Sequence, residues 1–122
     1  MLKTTQLDYL MNEVHDLLYR LGVTANYLGF FHTSYAVWLS VQQPRRLLMI
    51  TKWLYPEVAR QYDTTWQSVE RNVRTVISVA WRNNPTLLMQ IARRPLKCKP
   101  NAAQFISILA ESLARDQYCR AG

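Results

Sequence analysis

Apolar residues along the first part of the chain recur with a helical period. Leu7, Leu10, Met11, Val14, Leu17, Leu18 and Leu21 follow the i, i+3, i+4, i+7 spacing of a helix with one buried stripe. Gly22 sits just past the last of them, where a helix end favours a left-handed residue. A second helix is predicted over 27–41, with Phe30, Phe31, Ala36, Val37, Trp38 and Val41 on its apolar side. Pro44 opens a third helix at its first turn, where proline's missing N–H is tolerated. That helix should end near Tyr55, because Pro56 disfavours α backbone at the residue before it.

The stretch 56–82 carries the most information. Pro56 starts a short helix through Tyr62, with Glu57 in the first turn complementing the helix dipole. Asp63, Thr64 and Thr65 form a tight polar turn, and Thr64 with Gln67 has the spacing of a capping box. A long helix follows from Thr65 to about Arg82, stopping before Asn83, Asn84 and Pro85. Short helix, tight turn and longer helix make a helix-turn-helix arrangement, with Ala59 small enough for the crossing and Val69 packing back. Leu87, Leu88 and Ile91 then suggest a short helix, followed by a basic loop over 93–100. Asn101 with Gln104 again has capping spacing, and Phe105, Ile106, Leu109, Leu113 and Tyr118 continue a final amphipathic helix. The reading is one all-α domain over residues 1–122, of about six helices.

Composition narrows the class. Hydrophobic residues make up 49% of the 122 and charged residues 19%, which fits a packed core and excludes a disordered chain. No apolar run approaches the ~20 residues that span a bilayer. No secretory pattern opens the chain, so Cys98 and Cys119 are expected as reduced thiols in the cytoplasm. His15 and His32 lack partners at metal-ligand spacing, and no nucleophile motif or paired carboxylates appear. Neither a cofactor nor an enzymatic activity is expected.

The net charge is +7, and its placement matters more than its size. Eleven basic residues against Glu57, Asp63 and Glu70 put +8 into residues 41–100, while both ends are close to neutral. Such a segment suits a face that meets a polyanion, although a generally basic solvated surface gives the same sum. On the 65–82 helix, Trp66, Val69, Val73, Val76, Ile77 and Ala80 fall on the core side. Gln67, Glu70, Arg71, Arg74 and Ser78 gather on another side, with Thr75 at its edge. These types match major-groove chemistry: an arginine fork donates twice to guanine, a carboxylate accepts from cytosine, and glutamine pairs with adenine or reaches a phosphate. Glu70 is either a base reader or a residue that orients Arg71 or Arg74. An ordinary solvated face with a Glu70–Arg74 pair has the same pattern. Helical spacing assigns Trp53 and Trp81 to the core, with Trp66 less clearly placed.

Leu54-Tyr55-Pro56-Glu57-Val58-Ala59-Arg60-Gln61-Tyr62-Asp63-Thr64-Thr65, then Val69-Glu70-Arg71-Asn72-Val73-Arg74 and Val79-Ala80-Trp81, closely resembles the C-terminal DNA-binding effector domain of the stage-zero sporulation response regulator. Leu21-Gly22-Val23, Ile50-Thr51-Lys52, Lys99-Pro100 and Phe105-Ile106 extend the similarity over about residues 7–118. The resemblance implies a six-helix fold and a recognition helix beginning near Thr65 that contacts double-stranded DNA, commonly as tandem copies, hence a homodimer on tandem sites. It places Glu70, Arg71 and Arg74 against bases, with Gln67 beside them. Lys52, Arg60, Thr64, Thr65, Thr75, Ser78, Lys97 and Lys99 are the candidates for backbone phosphates. The basic loop over 93–99 resembles the family's activation surface, which implies the RNA polymerase sigma subunit as a partner. Family members normally carry a receiver domain ahead of the effector. Here the effector pattern uses essentially all 122 residues, so a free-standing regulator of sporulation type is expected. Gln67, Ser68 and Thr75 depart from the family pattern, as do Asn26 and Leu28. Those departures keep two other readings open: a protein-interaction module that antagonises a full-length regulator or polymerase, and nonspecific nucleic-acid binding.

Overall fold

The structure, a computed structural model, describes the backbone of residues 4–121 and the side chains of residues 6–116. Its helices are α1 (Thr4–Arg20), α2 (Leu28–Gln42), α3 (Tyr55–Gln61), α4 (Trp66–Asn83), α5 (Pro85–Ala92) and α6 (Ala102–Ala121). A 3-10 turn (Pro44–Leu48) and a π turn (Ile50–Leu54) join α2 to α3. There is no strand among the described residues, so the all-α expectation holds. The side chain of Tyr118 lies outside the described residues.

The expected stripe of α1 is the one that buries: Leu10, Val14, Leu17, Leu18 and Leu21 all enter the core. Gly22 closes α1 as its position predicts. At φ 90 it lets Val23 N–H reach the Leu18 carbonyl at 2.9 Å and Gly22 N–H reach that of Tyr19 at 2.9 Å.

The second helix is not one-sided. It packs against α1, α4 and α6 and also touches α3. Phe30, His32, Thr33, Ser34, Ala36, Val37, Leu39 and Ser40 are buried around it, as befits the central rod of a small bundle. Ser34 and Ser40 satisfy their hydroxyls by donating to the Phe30 and Ala36 carbonyls, at 2.6 and 2.8 Å. Phe31, expected on the apolar side, is instead exposed and packs edge-on against Phe30. The close crossing of α2 and α4 depends on Gly29. A Cβ there would stand 2.3 Å from the Asn72 carbonyl oxygen and 2.7 Å from Val76 Cγ2.

The predicted continuous helix over 44–55 does not form. Met49 (φ −144, ψ 79) breaks it into the 3-10 turn and the π turn. In the wide turn, Tyr55 N–H donates to the Ile50 carbonyl, so the chain runs into α3 without the donor that Pro56 lacks. Tyr55 is already helical (φ −59, ψ −38), and Pro56 lies inside the first turn of α3 rather than ending the preceding helix. The irregular backbone also re-aims Trp53, which is 39% exposed instead of joining the core.

The α3–α4 hairpin is closed by a left-handed Asp63 (φ 52). Thr64 N–H reaches the Ala59 carbonyl at 2.9 Å and Asp63 N–H that of Arg60 at 3.4 Å, an arrangement usually built on glycine. Because Thr64 is used in closing α3, the cap of α4 falls one residue later than expected. Thr65 is extended (φ −103, ψ 154), and its Oγ1 accepts from Ser68 N–H at 3.2 Å. The capping box at α6 forms as predicted: Gln104 N–H donates to Asn101 Oδ1 at 2.9 Å, and Asn101 N–H to Gln104 Oε1 at 3.0 Å.

Candidate nucleic-acid interface

At 18 residues, α4 is about 27 Å long at 1.5 Å per residue, and its two sides differ in kind. Val69, Val73, Val76, Ile77, Val79 and Ala80 are buried, and the helix packs on α2, α3 and α6. Trp66 does not join them. It begins the first turn, which projects past the core, and it is 38% exposed.

On the other side, Gln67, Arg71, Arg74 and Thr75 are exposed, with Glu70 and Ser78 half-buried beside them. These six positions span an arc of about 140° at 100° per residue. Arg74 Nη2 donates to Glu70 Oε1 at 2.7 Å, which fixes one edge of that guanidinium. As a solvated i, i+4 pair it stabilises the helix by only about 0.3–0.5 kcal/mol, so its main effect is orientation. The Arg71 guanidinium has no hydrogen bond or ion pair among the described residues, while its carbonyl accepts from Thr75 Oγ1 at 3.2 Å. Lys99 Nζ donates to Ser78 Oγ at 3.0 Å, drawing the basic loop onto the far part of the same arc. Lys97 is exposed on that loop.

Two of the expected phosphate ligands lie off α4, one on the turn before α3 and one on α3 itself. Lys52 and Arg60 line a cleft against the 44–54 turns that no residue of α4 enters, and Arg60 pairs with Glu57 at 2.9 Å. Thr64 is half-buried at the hairpin, and exposed Thr65 is engaged as the cap of α4.

Besides its buried apolar side, α4 is held by a polar tie that no sequence pattern marks. Asn72 Nδ2 lies 3.3 Å from Nδ1 of His32, a buried ring on α2. Burial lowers the His32 pKa below 6.5, which keeps the ring neutral and its Nδ1 free to accept from the amide. The same ring packs on Tyr62 with centroids 5.2 Å apart, so one histidine touches both α4 and the turn before it. Tyr55 is buried near Glu70 and Arg74. Its hydroxyl is pushed up to about 12, by burial first and then by the Glu70 charge, with Arg74 opposing. That hydroxyl has no hydrogen-bond partner among the described residues. Gly29 and His32 sit one turn apart on α2, but Asn72 lies about forty residues further on, so no local pattern marks their contact with it.

An all-helical body whose fourth helix is buried on one side and carries exposed arginines on the other can present that side to a polyanion. Residues 14–113 match the family described as sporulation initiation factor Spo0A C terminal; the match covers most of the chain, which belongs to this family of DNA-binding regulatory domains. The matched segment contains the whole of α2 to α5. Among the described residues no helix is long and apolar enough to cross a membrane, and no group of three His, Cys, Asp or Glu side chains could hold a metal ion.

Proposed function

We propose that the protein is a sequence-specific regulator of transcription that binds double-stranded DNA through the α3–α4 hairpin, with α4 lying in the major groove. The observation that carries this reading is the arc of exposed Gln67, Arg71 and Arg74 with half-buried Glu70 among them, on a helix whose opposite side is fixed in the core. A groove about 12 Å wide admits one helix, and the side chains at its floor must then read donors and acceptors on base edges.

In this reading, Arg71 is the principal guanine reader, because its fork is unengaged. Arg74 enters with one edge held by Glu70, leaving its remaining donors for a second base or a phosphate. Glu70 keeps that orienting role or accepts from a cytosine amino group. Gln67, nearest the helix start, pairs with adenine or a phosphate. Thr64, Thr65, Thr75 and Ser78, with Lys97 and Lys99 on the loop, supply backbone contacts that set register and salt dependence. Tandem copies on DNA and contact of the basic loop with RNA polymerase are compatible extensions of the same placement.

Selection of bound duplexes from a random pool at near-physiological salt tests the proposal. An enriched motif whose enrichment collapses for Arg71→Ala supports it. Uniform recovery of all duplexes overturns it in favour of charge-driven binding.

A further inference from the structure

The 3-10 and π turns expose more than irregular backbone. Leu48 and Met49, at their junction, are 74% and 44% exposed, and Trp53 follows four residues later. Trp53 shares a cleft of about 690 Å3 with Pro44 and Pro56, and Arg45, Arg46, Lys52 and Arg60 stand around it. Glu57 is the one carboxylate on its lining, and it is paired with Arg60. Arg46 builds a wall: its guanidinium donates to the Trp53 carbonyl and to Gln43 Oε1. Arg45 and Lys52 have no hydrogen bond or ion pair among the described residues.

Two features together select the occupant. The excess of cations calls for carboxylates or phosphates, and Trp53 on the lining, between Pro44 and Pro56 and with Leu48 and Met49 exposed on the adjoining turns, calls for apolar contact. A duplex would engage the cations and leave the apolar residues in water. A peptide that carries both kinds of side chain satisfies both. Tryptophan beside arginine is also the composition that dominates the energy of protein–protein contacts, and single π turns recur at functional sites.

We propose that this cleft docks an acidic segment of a partner protein. A leucine or aromatic anchor of that segment lies against Trp53 between Pro44 and Pro56, and flanking carboxylates meet Arg45 and Lys52. The cleft shares no lining residue with the arc of α4, so base reading by that arc and peptide docking can be tested one without the other. It would let a protein ligand address the regulator without occupying the DNA-binding helix.

The test pans a displayed library of random short peptides against the full chain, without DNA. Enriched peptides should combine Asp or Glu with Leu, Phe or Trp. A synthetic copy of one should shift the Trp53 indole N–H resonance, assigned with Trp53→Phe. Arg45→Glu should weaken that peptide about tenfold while leaving the affinity for duplex DNA unchanged. The proposal is overturned by enriched peptides without acidic residues, by resonance shifts that bypass Trp53, or by no enrichment at all. It is equally overturned if duplex DNA displaces the peptide and Arg45→Glu weakens DNA binding, which would make the cleft part of the DNA interface.

Discussion

The fourth helix and the 44–54 turns lie on either side of α3, and both bring arginine and tryptophan to the surface, by opposite means. The helix is regular, and its exposed arc is fixed by what happens behind it: Gly29 admits the backbone at Asn72, and His32 holds the Asn72 amide. The turns are irregular, and their exposed residues point outward because the backbone at Met49 abandons the helix. A side chain that must meet a base edge within hydrogen-bond reach gains from a rigid mount. A surface that receives a peptide can use a looser one.

Gly29→Ala attacks the mount directly and should have the largest effect. The new methyl meets backbone oxygen rather than a movable side chain, so a loss of about 2–3 kcal/mol is expected in urea titration. Trp53→Ala, on the turns, should cost less than about 1 kcal/mol, because that side chain is partly exposed. Equal losses for the two variants would erase the distinction between mount and turns. Gly22→Ala should follow Gly29→Ala, losing about 1–2 kcal/mol to the left-handed backbone alone. Its Cβ would also press within 2.7 Å of Asn83 Cβ, at the far end of α4.

Thr65→Ala removes the cap acceptor for Ser68 N–H and should cost about 1 kcal/mol, with Thr64→Ala costing less. A larger loss at Thr64 would restore the capping register expected from sequence spacing. The smallest effect is a pH dependence. The His32 pKa is lowered in the folded state, so below 6.5 the unfolded chain binds a proton that the folded chain refuses. Stability is therefore full above that value and falls as pH drops toward the folded pKa. Urea midpoints compared at about pH 8 and about pH 5 should show the fall, reduced in His32→Gln. Part should persist in that variant, because burial lowers His15 as well.

What the sequence revealed follows from where the physics is local. Periodicity identified most of the buried residues of α1, α4 and α6, because a helix with one buried side repeats its apolar positions, but it put exposed Trp66 in the core and missed Val79. It misplaced Phe31 because α2 is buried over most of its circumference, by polar as well as apolar residues, which leaves no apolar stripe to read. It misplaced Trp53 and merged the two turns, because a proline rule cannot foresee a π turn that hands the chain on before the missing donor matters. The arc of Gln67, Glu70, Arg71 and Arg74 was legible from spacing alone. The tie between Asn72 and His32, forty residues apart, was not. Nor was the cleft that Lys52 shares with Arg60, which depends on how the 44–54 turns fold against α3.

The central claim is that α4 reads bases with Arg71, and one comparison tests it most directly. Affinities of the unaltered protein and of Arg71→Ala are measured on a selected duplex and on its scrambled counterpart at one salt concentration. The account predicts a loss of about 1–3 kcal/mol on the selected duplex and a much smaller loss on the scrambled one. Equal losses on both, or none on either, would contradict it.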